Sequence, residues 1–170
     1  RAIQQAGIDI SQVATLGIAN QRETTVVWDP STGRPVAKAI TWQDIRTAEF
    51  VKELKQQPVA ALFREVSGLE PASYFAGPRL RWLLDHTPGL REQAEAGSAL
   101  FGTMETWLIW NLTGGPDGGV HVTYGTNNGR TMLMYLNTCQ WDDRLVAALD
   151  IPPQMLPMIR SNAEVYGTCK

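Results

Sequence analysis

The feature that most constrains this chain is a mostly apolar run at residues 13–19 (VATLGIA) that gives way abruptly to the polar residues 20–24 (NQRET). A short apolar run of this kind is typical of a strand that is buried on both faces of a sheet. In α/β proteins, ligands bind beyond the carboxyl ends of such strands. The pattern therefore predicts a buried strand at residues 13–19 and a binding site among the polar residues that follow it.

Further strands are expected where β-branched and aromatic residues cluster. Residues 24–29 (TTVVWD) and residues 36–42 are two such segments, and the turn sequence PSTG at residues 30–33 separates them. Residues 99–102 (ALFG) are a third, short apolar segment. The start of the chain is therefore predicted to be rich in β-structure.

Helices are expected to dominate from residue 46 onward, because apolar residues recur there every three or four positions. Gly68 is expected to end one helix, since glycine readily adopts the left-handed conformation that terminates helices. Thr87, Thr103 and Asp142 are expected to cap the N-termini of three others. Together, the strands and helices predict an α/β fold in which a β-rich start is followed by packed helices.

The composition argues against several classes of function. Lys and Arg number 15 against 17 Asp and Glu, which gives a net charge of −2 and no basic patch for nucleic acid or an acidic membrane surface. Hydrophobic residues make up 44%, which is typical of a globular chain. No apolar run approaches the roughly 18 residues that a membrane span needs. We therefore expect a folded, soluble chain whose partners include neither nucleic acid nor a membrane.

Metal-ligand and nucleotide-binding motifs are absent from the sequence. Cys139 and Cys169 lie far apart with no CxxC spacing, and neither His86 nor His121 has a second ligand nearby. This usage predicts no metal site and no disulfide framework, and it fits a reducing compartment such as the cytoplasm. Neither a P-loop pattern nor a GxGxxG motif occurs. The motifs alone therefore indicate no catalytic machinery.

Arg22 and Glu23 stand at the expected end of the first strand and form a candidate binding pair. Arginine offers a rigid fork of donors and glutamate offers acceptors, a combination that suits a polyhydroxy ligand. Because adjacent residues of a regular strand point to opposite faces, both can reach one ligand only if the strand ends or bulges here. The alternative is a solvated ion pair at a strand end.

Trp42, Tyr74 and Phe75 are candidate aromatic walls for the same ligand. Aromatic rings pack against the C–H faces of polyols while polar neighbours bind the hydroxyl groups. The alternative for each of them is an ordinary place in the hydrophobic core. Tyr74 is the least core-like of the three, because its hydroxyl group needs a hydrogen-bond partner.

Several segments closely resemble the FGGY family of carbohydrate kinases, and the NQRET stretch is typical of its glycerol kinases. The matching segments span nearly the whole chain: residues 17–25, 42–43, 46–48, 67–69, 71–75, 101–103, 106–110, 130–133 and 164–167. The resemblance implies two actin-like, RNase-H-like α/β domains with the active site in the cleft between them. Residues 1–170 would be part of the N-terminal, substrate-side domain, without its opening strands and without the C-terminal ATP domain.

The resemblance also implies a site and a reaction. Arg22, Glu23 and Tyr74 match residues that hold the hydroxyl groups of glycerol, and Trp42 matches an aromatic wall of that pocket. The reaction implied is transfer of the ATP γ-phosphate to glycerol, giving glycerol 3-phosphate. The catalytic aspartate would follow Lys170, and ATP with Mg²⁺ would bind mainly outside this chain, so the chain alone is expected to be inactive. Family members form homodimers and homotetramers.

Three alternatives stay open on the sequence. One is another FGGY kinase that acts on a pentulose, although such enzymes tend to lack the pair formed by Arg22 and Glu23. The others are a non-catalytic polyol-binding module and a stable structural fragment with an exposed former interface.

A few positions depart from the family pattern. Glu105 stands where aspartate is usual, Tyr124 stands where the family has aspartate, and Asn128-Gly129 replaces Ala-Ser. None of these is a residue matched to glycerol binding. The segment from residue 124 to residue 129 is accordingly either a lineage-specific loop or a contact with a different partner.

Overall fold

The computed structural model describes residues 1–170 and contains eight helices and six short strands. The helices are α1 (Ala2–Ala6), α2 (Ala48–Gln56), α3 (Ala60–Ser67), α4 (Ala76–His86), α5 (Leu90–Glu95), α6 (Met104–Leu112), α7 (Gly125–Asn128) and α8 (Asp143–Ala148). The strands are β1 (Val26–Trp28), β2 (Leu100–Gly102), β3 (Val122–Tyr124), β4 (Met134–Tyr135), β5 (Gln140–Trp141) and β6 (Met158–Arg160). None of the helices has both the length and the apolar character that crossing a bilayer would require.

The strands pair into three two-stranded sheets. β1 and β2 are antiparallel, with Val26 opposite Gly102 and Trp28 opposite Leu100. β3 and β6 are parallel, and β4 and β5 form an antiparallel pair. The predicted strands at residues 24–29 and 99–102 are therefore confirmed, and they pair with each other across more than 70 residues of intervening helix and loop.

The main hydrophobic core is formed where α2 to α5 and α8 pack against β1 and β2. It is a cluster of 21 buried residues that includes Phe63 of α3, Leu80 of α4 and Leu145 of α8. The helical spacing seen in the sequence accounts for these contacts, because residues three and four apart share one helix face. Gly68 ends α3 with φ 72°, as predicted.

Of the three predicted N-caps, Asp142 is confirmed, while Thr103 stands at the predicted position without making a capping hydrogen bond. The Asp142 carboxylate accepts from the backbone N–H groups of Arg144 and Leu145, which begin α8. Thr103 precedes α6, although its hydroxyl donates to the Glu105 carboxylate at 2.6 Å instead of bonding the helix backbone. The prediction for Thr87 is wrong, because the short helix α5 begins later, after Gly89 with φ 73°. A left-handed residue is accommodated there at no steric cost, since glycine has no Cβ.

The predicted buried strand at residues 13–19 is wrong. These residues belong to no helix or strand, and most are exposed, with Leu16 at 58%. The reason is that no other segment of the chain pairs its backbone with theirs; one carbonyl, that of Ile18, accepts from the side-chain hydroxyl of Tyr124. An apolar run becomes a strand only when a neighbour completes its ladder.

The predicted strand at residues 36–42 is also wrong. Only two isolated bridges form, one joining Thr25 to Ile40 and one joining Trp28 to Pro35. Two residues lie between the bridged positions on one side and four on the other, so two extra residues must loop out of the ladder. This offset prevents continuous pairing beside β1.

Candidate functional site

Arg22 and Glu23 lie in an irregular bend before β1, not within a strand. Glu23 has φ 67°, a left-handed backbone conformation that is rare for a residue with a side chain. The bend removes the geometric objection raised by strand alternation, since adjacent residues need not point to opposite faces here. Arg22 is exposed, whereas Glu23 is only 8% exposed.

The Glu23 carboxylate is fixed by Arg130, which lies 107 residues further along the chain. The Nε of Arg130 donates to Oε1 of Glu23 at 2.6 Å. The Arg130 guanidinium also stacks over the rings of Phe75, at 4.7 Å, and Tyr74, at 5.4 Å. No protein group donates to the second oxygen of Glu23, so the carboxylate is anchored at one oxygen and free to accept at the other.

A second arginine, Arg79 of α4, forms hydrogen bonds to the backbone of three candidate residues. Its guanidinium donates to the carbonyl oxygens of Trp42 at 2.6 Å and Tyr74 at 2.6 Å, and to that of Glu23 at 3.4 Å. It also donates to the carbonyl oxygen of Asp44 at 3.3 Å. The structure therefore brings Glu23, Trp42 and Tyr74 together around one buried cation, and we call this group of three residues the acceptor wall.

The aromatic residues of the acceptor wall are not part of the core. Trp42 is 46% exposed and Tyr74 is 42% exposed, whereas Phe75 is 1% exposed. The ordinary core interpretation is therefore right for Phe75 and wrong for the other two. A half-open indole face and a phenol hydroxyl are available there to a ligand.

Arg22 stands apart from the other three candidates. It makes no hydrogen bond or ion pair within the chain, and it lines a cavity of about 1150 Å³ that neither Glu23, Trp42 nor Tyr74 lines. We call this space the open cavity. Its walls are formed mainly by residues 13–20, which belong to no helix or strand, and by residues 162–169.

Asp44 lies next to the acceptor wall but is already engaged. Hydrogen bonds from the Arg46 side chain and backbone lower the pKa of the Asp44 carboxyl from 3.8 to about 2. The two side chains meet through Nε at 2.8 Å and Nη2 at 2.7 Å. A carboxylate with so low a pKa is a weak base at neutral pH, so Asp44 is not assigned a proton-transfer role.

The residue that precedes the bend, Asn20, is held by a buried polar network. Its amide donates to the fully buried Glu105 carboxylate at 3.1 Å, and its carbonyl oxygen accepts from Asn127 at 3.0 Å and Tyr124 at 3.2 Å. Glu105 also accepts from the hydroxyl of Thr123 at 2.8 Å. Two positions that depart from the family pattern, Glu105 and Tyr124, therefore meet on Asn20, two residues before Arg22.

Sequence reasoning missed Arg79 and Arg130 as residues of this site. Arg79 did leave a signal, because it is a charged residue on the apolar face of α4 beside Leu80 and close to Leu83. A charge in such a position needs buried partners. Arg130 gave none beyond its place after the Asn128-Gly129 turn, since its contacts lie far away in sequence.

Residues suited to hold a metal ion are not clustered anywhere in the chain. No group of three or more His, Cys, Asp or Glu side chains lies close enough to form such a site. The arrangement offers hydrogen-bond acceptors, an arginine fork and aromatic faces. These groups have the chemistry that a small polyhydroxy ligand needs, and they supply no evident base.

Comparison with known proteins identifies a family model and many relatives. The model for the N-terminal domain of the FGGY family of carbohydrate kinases matches residues 1–170. Glycerol kinase 2 of Streptomyces coelicolor is 58% identical over 166 residues, which cover 98% of this chain and 32% of that protein. Glycerol kinase of Brucella anthropi is 52% identical over 166 residues, covering 98% and 33%. The chain thus spans about a third of the length of these relatives.

Comparison with solved structures also finds kinases. A glycerol kinase of Plasmodium falciparum with ADP matches with a TM-score of 0.86 and 37% identity over 91% of this chain and 30% of that one. A gluconate kinase of Lactobacillus acidophilus matches with a TM-score of 0.82 over 98% and 32%, and at 23% identity this likeness concerns the fold alone. The predicted α/β, actin-like fold class is therefore confirmed.

Proposed function

The chain belongs to the FGGY family of carbohydrate kinases, and from this premise we propose that it is part of the substrate-side domain of a longer glycerol kinase. The proposed reaction transfers the γ-phosphate of ATP to glycerol and yields glycerol 3-phosphate and ADP. The identities of 58% and 52% to glycerol kinases support this choice of substrate. The observation that carries it is the acceptor wall, in which Glu23, Trp42 and Tyr74 meet around Arg79.

Each residue of the wall has a role suited to a small polyol. The free oxygen of Glu23 accepts a hydrogen bond from one glycerol hydroxyl, while Arg130 keeps the other oxygen in place. The Tyr74 hydroxyl binds a further hydroxyl group, and the exposed face of Trp42 covers the carbon chain. Arg22 has no partner in the chain and lines the open cavity, not the acceptor wall, so its proposed role as a donor to the hydroxyl oxygens rests only on its match to the family's glycerol-binding arginine.

These contacts hold the acceptor in one orientation. Phosphoryl transfer depends mainly on positioning and on stabilisation of charge, so fixing the reacting hydroxyl contributes directly to rate. The buried environment of Glu23 strengthens its hydrogen bond to the substrate, since competing water is reduced. This chain is therefore proposed to bind and orient glycerol.

The remaining chemistry is assigned to other parts of the longer protein. Because no cluster of ligating side chains exists in this chain, none of its residues is proposed to hold Mg²⁺. The base that accepts the glycerol proton, and the site for ATP with Mg²⁺, are proposed to lie outside residues 1–170. The bound nucleotide supplies the phosphoryl group, and the acceptor wall supplies the oriented hydroxyl.

The test is a substrate panel on the complete protein that contains this chain. ADP release is measured with MgATP against glycerol, dihydroxyacetone, xylulose and ribulose, and the 170-residue chain is assayed alongside as a control. We expect strong preference for glycerol by the complete protein and no activity from the chain alone. Preference for a ketose would make the protein a pentulose kinase, and activity of the isolated chain would contradict the division of roles between its parts.

A further inference from the structure

Arg79 is the most deeply buried cation of the molecule, and it has no ion-pair partner. Its residue exposure is 0%, and no carboxylate oxygen lies within ion-pair distance of its guanidinium. Burial lowers the pKa of Arg79 from 12.5 to about 10, partly offset by the nearby charges of Asp44 and Glu23, so the group stays charged at neutral pH. Burying an unpaired charge is unfavourable, and such a residue is retained only where its hydrogen bonds have a use.

The hydrogen bonds of Arg79 all go to backbone carbonyl oxygens. The acceptors belong to three separate segments, which carry Glu23, Trp42 with Asp44, and Tyr74. A planar guanidinium presents donors in fixed directions, so it fixes the relative positions of all three segments at once. Two threonine hydroxyls reach carbonyl oxygens nearby, Thr25 those of Glu23 and Ala76 and Thr47 that of Ser73, but only Arg79 bonds all three segments.

The same three segments carry the residues of the acceptor wall, and of its two aromatic side chains only Tyr74 has a further contact, with Arg130 and Phe75. Trp42 and Tyr74 are 46% and 42% exposed, so packing alone does not fix their place. Glu23 has an unfavourable backbone conformation with φ 67°, which persists only where surrounding contacts hold it. The anchoring of their carbonyl oxygens therefore fixes the backbone from which these side chains project, while Arg130 holds the Glu23 carboxylate itself.

We propose that Arg79 is the positioning residue of the acceptor pocket, acting through the carbonyl oxygens of Glu23, Trp42 and Tyr74 and not through contact with the substrate. This role rests on the proposed function, because the pocket is defined by the polyol it binds. Removing Arg79 lets the three segments move independently. Displacements of an ångström at such residues are enough to weaken binding and catalysis by large factors.

The experiment compares Arg79→Met and Arg79→Lys in the complete protein with Arg81→Met as a matched control. Arg81 lies two residues further along α4 and bonds Asp85 and Asp150 at the surface, away from the acceptor wall. KM and kcat are measured for glycerol and for ATP, together with the thermal unfolding midpoint of each variant. The ratio of effects on the two substrates distinguishes positioning of the acceptor from a general loss of folded enzyme.

We expect Arg79→Met to raise the KM for glycerol at least tenfold and to lower kcat, with the KM for ATP changed less than twofold. Arg79→Lys should recover part of the loss, because an ammonium group donates to some of the carbonyl oxygens but not in the same directions. Arg81→Met should leave both KM values within twofold of the unchanged protein.

The outcomes distinguish failure of the proposed glycerol kinase function from failure of the positioning role of Arg79. If the unchanged complete protein does not phosphorylate glycerol, the proposed function is wrong and the role of Arg79 in it fails as well. If that protein is active and both Arg79 variants fold but keep the glycerol KM, or change both KM values equally, only the positioning role is wrong. If both Arg79 variants lose the folded state, Arg79 serves the fold and the inference is also overturned.

Discussion

The acceptor wall and the open cavity differ in how the chain around each of them is held in place. At the acceptor wall, residues far apart in sequence fix each bend, as Arg79 does for Trp42 and Arg130 does for Glu23. Around the open cavity, residues 13–20 and 162–169 belong to no helix or strand and bond no sheet partner in the chain. The difference shows that a local sequence pattern gives a segment a fixed conformation only where residues distant in sequence contact that segment.

The two apolar segments near the start of the chain make this concrete. β1 is fully buried because β2 pairs with it along its length and Thr25, just before it, bridges to Ile40. Residues 13–19 are as apolar, yet they stay exposed and outside any sheet. The same contrast predicts which substitutions the molecule will tolerate.

The largest expected effect is the contrast between two glycines. A Cβ at Gly77 would lie 2.5 Å from the Thr131 carbonyl oxygen and 2.7 Å from a Leu149 methyl, whereas a Cβ at Gly17 would meet nothing within 4 Å. Gly77→Ala should therefore destabilise the fold by about 3 kcal/mol, through backbone displacement beside the acceptor wall. Gly17→Ala should change stability by less than about 0.5 kcal/mol.

Urea unfolding of the two alanine variants measures this difference. Equal stability of both variants would mean that the packing around α4 is as loose as that around the open cavity. A strong loss from Gly17→Ala alone would show that the open cavity is filled in solution by another part of the protein.

The next effect is a dependence of stability on pH that comes from the packed part of the molecule. Burial lowers the pKa of His121 from 6.5 to about 4, although the hydrogen bond between its Nε2 and the Phe101 carbonyl opposes the shift. The folded state therefore favours the neutral ring. Stability is complete above pH 6.5 and falls as the pH drops toward 4, by at most about 3 kcal/mol.

The control for this effect is His121→Gln, whose amide can still donate to the Phe101 carbonyl oxygen. Unfolding free energies are measured at several pH values between 7 and 4. The free energy should fall less for the glutamine variant than for the unchanged protein, and the gap between them should widen by roughly 1.4 kcal/mol per pH unit. Parallel curves for the two proteins would show that His121 is as open to water as the residues around the cavity.

A smaller effect on stability is expected from two neighbouring asparagines in residues 124–129, the segment that departs from the family pattern. Asn128 is fully buried, and neither its Nδ2 nor its Oδ1 has a hydrogen-bond partner, whereas Asn127 donates to Asn20 at 3.0 Å. Asn128→Ala should raise stability by about 1 kcal/mol, because it removes an unpaired buried amide. Asn127→Ala should lower stability by a similar amount, about 1 kcal/mol. Thermal unfolding of both variants tests the pair, and destabilisation by Asn128→Ala would show that its amide has a partner.

Much of the helical structure could be predicted from sequence, because helices depend on near neighbours. The apolar spacing of α2, α3 and α4, the left-handed Gly68 and the Asp142 cap all act within a few residues of themselves. The strands could be predicted only in part, since a strand needs a partner that the local sequence does not identify. The strand predictions for residues 13–19 and 36–42 are wrong for this reason.

In the candidate site, too, some residues could be predicted from the sequence and others could not. Glu23, Trp42 and Tyr74 could be named from sequence and resemblance, and the structure brings them together. Arg22 could be named as well, but its place beside the open cavity could not. Arg79 and Arg130 could not be assigned, because their partners lie between 5 and 107 residues away and only the folded chain brings them together.

The most direct measurement is the KM for glycerol of Glu23→Gln in the complete protein, with Glu70→Gln as control. The glutamine can still accept from Arg130 through one oxygen, but the oxygen left free in Glu23 becomes a donor. Glu70 is an exposed glutamate that pairs only with Arg64 at the surface. We expect the glycerol KM to rise at least tenfold for Glu23→Gln and to stay within twofold for Glu70→Gln, with the KM for ATP unchanged in both. An unchanged glycerol KM in Glu23→Gln would contradict the assignment of the acceptor wall.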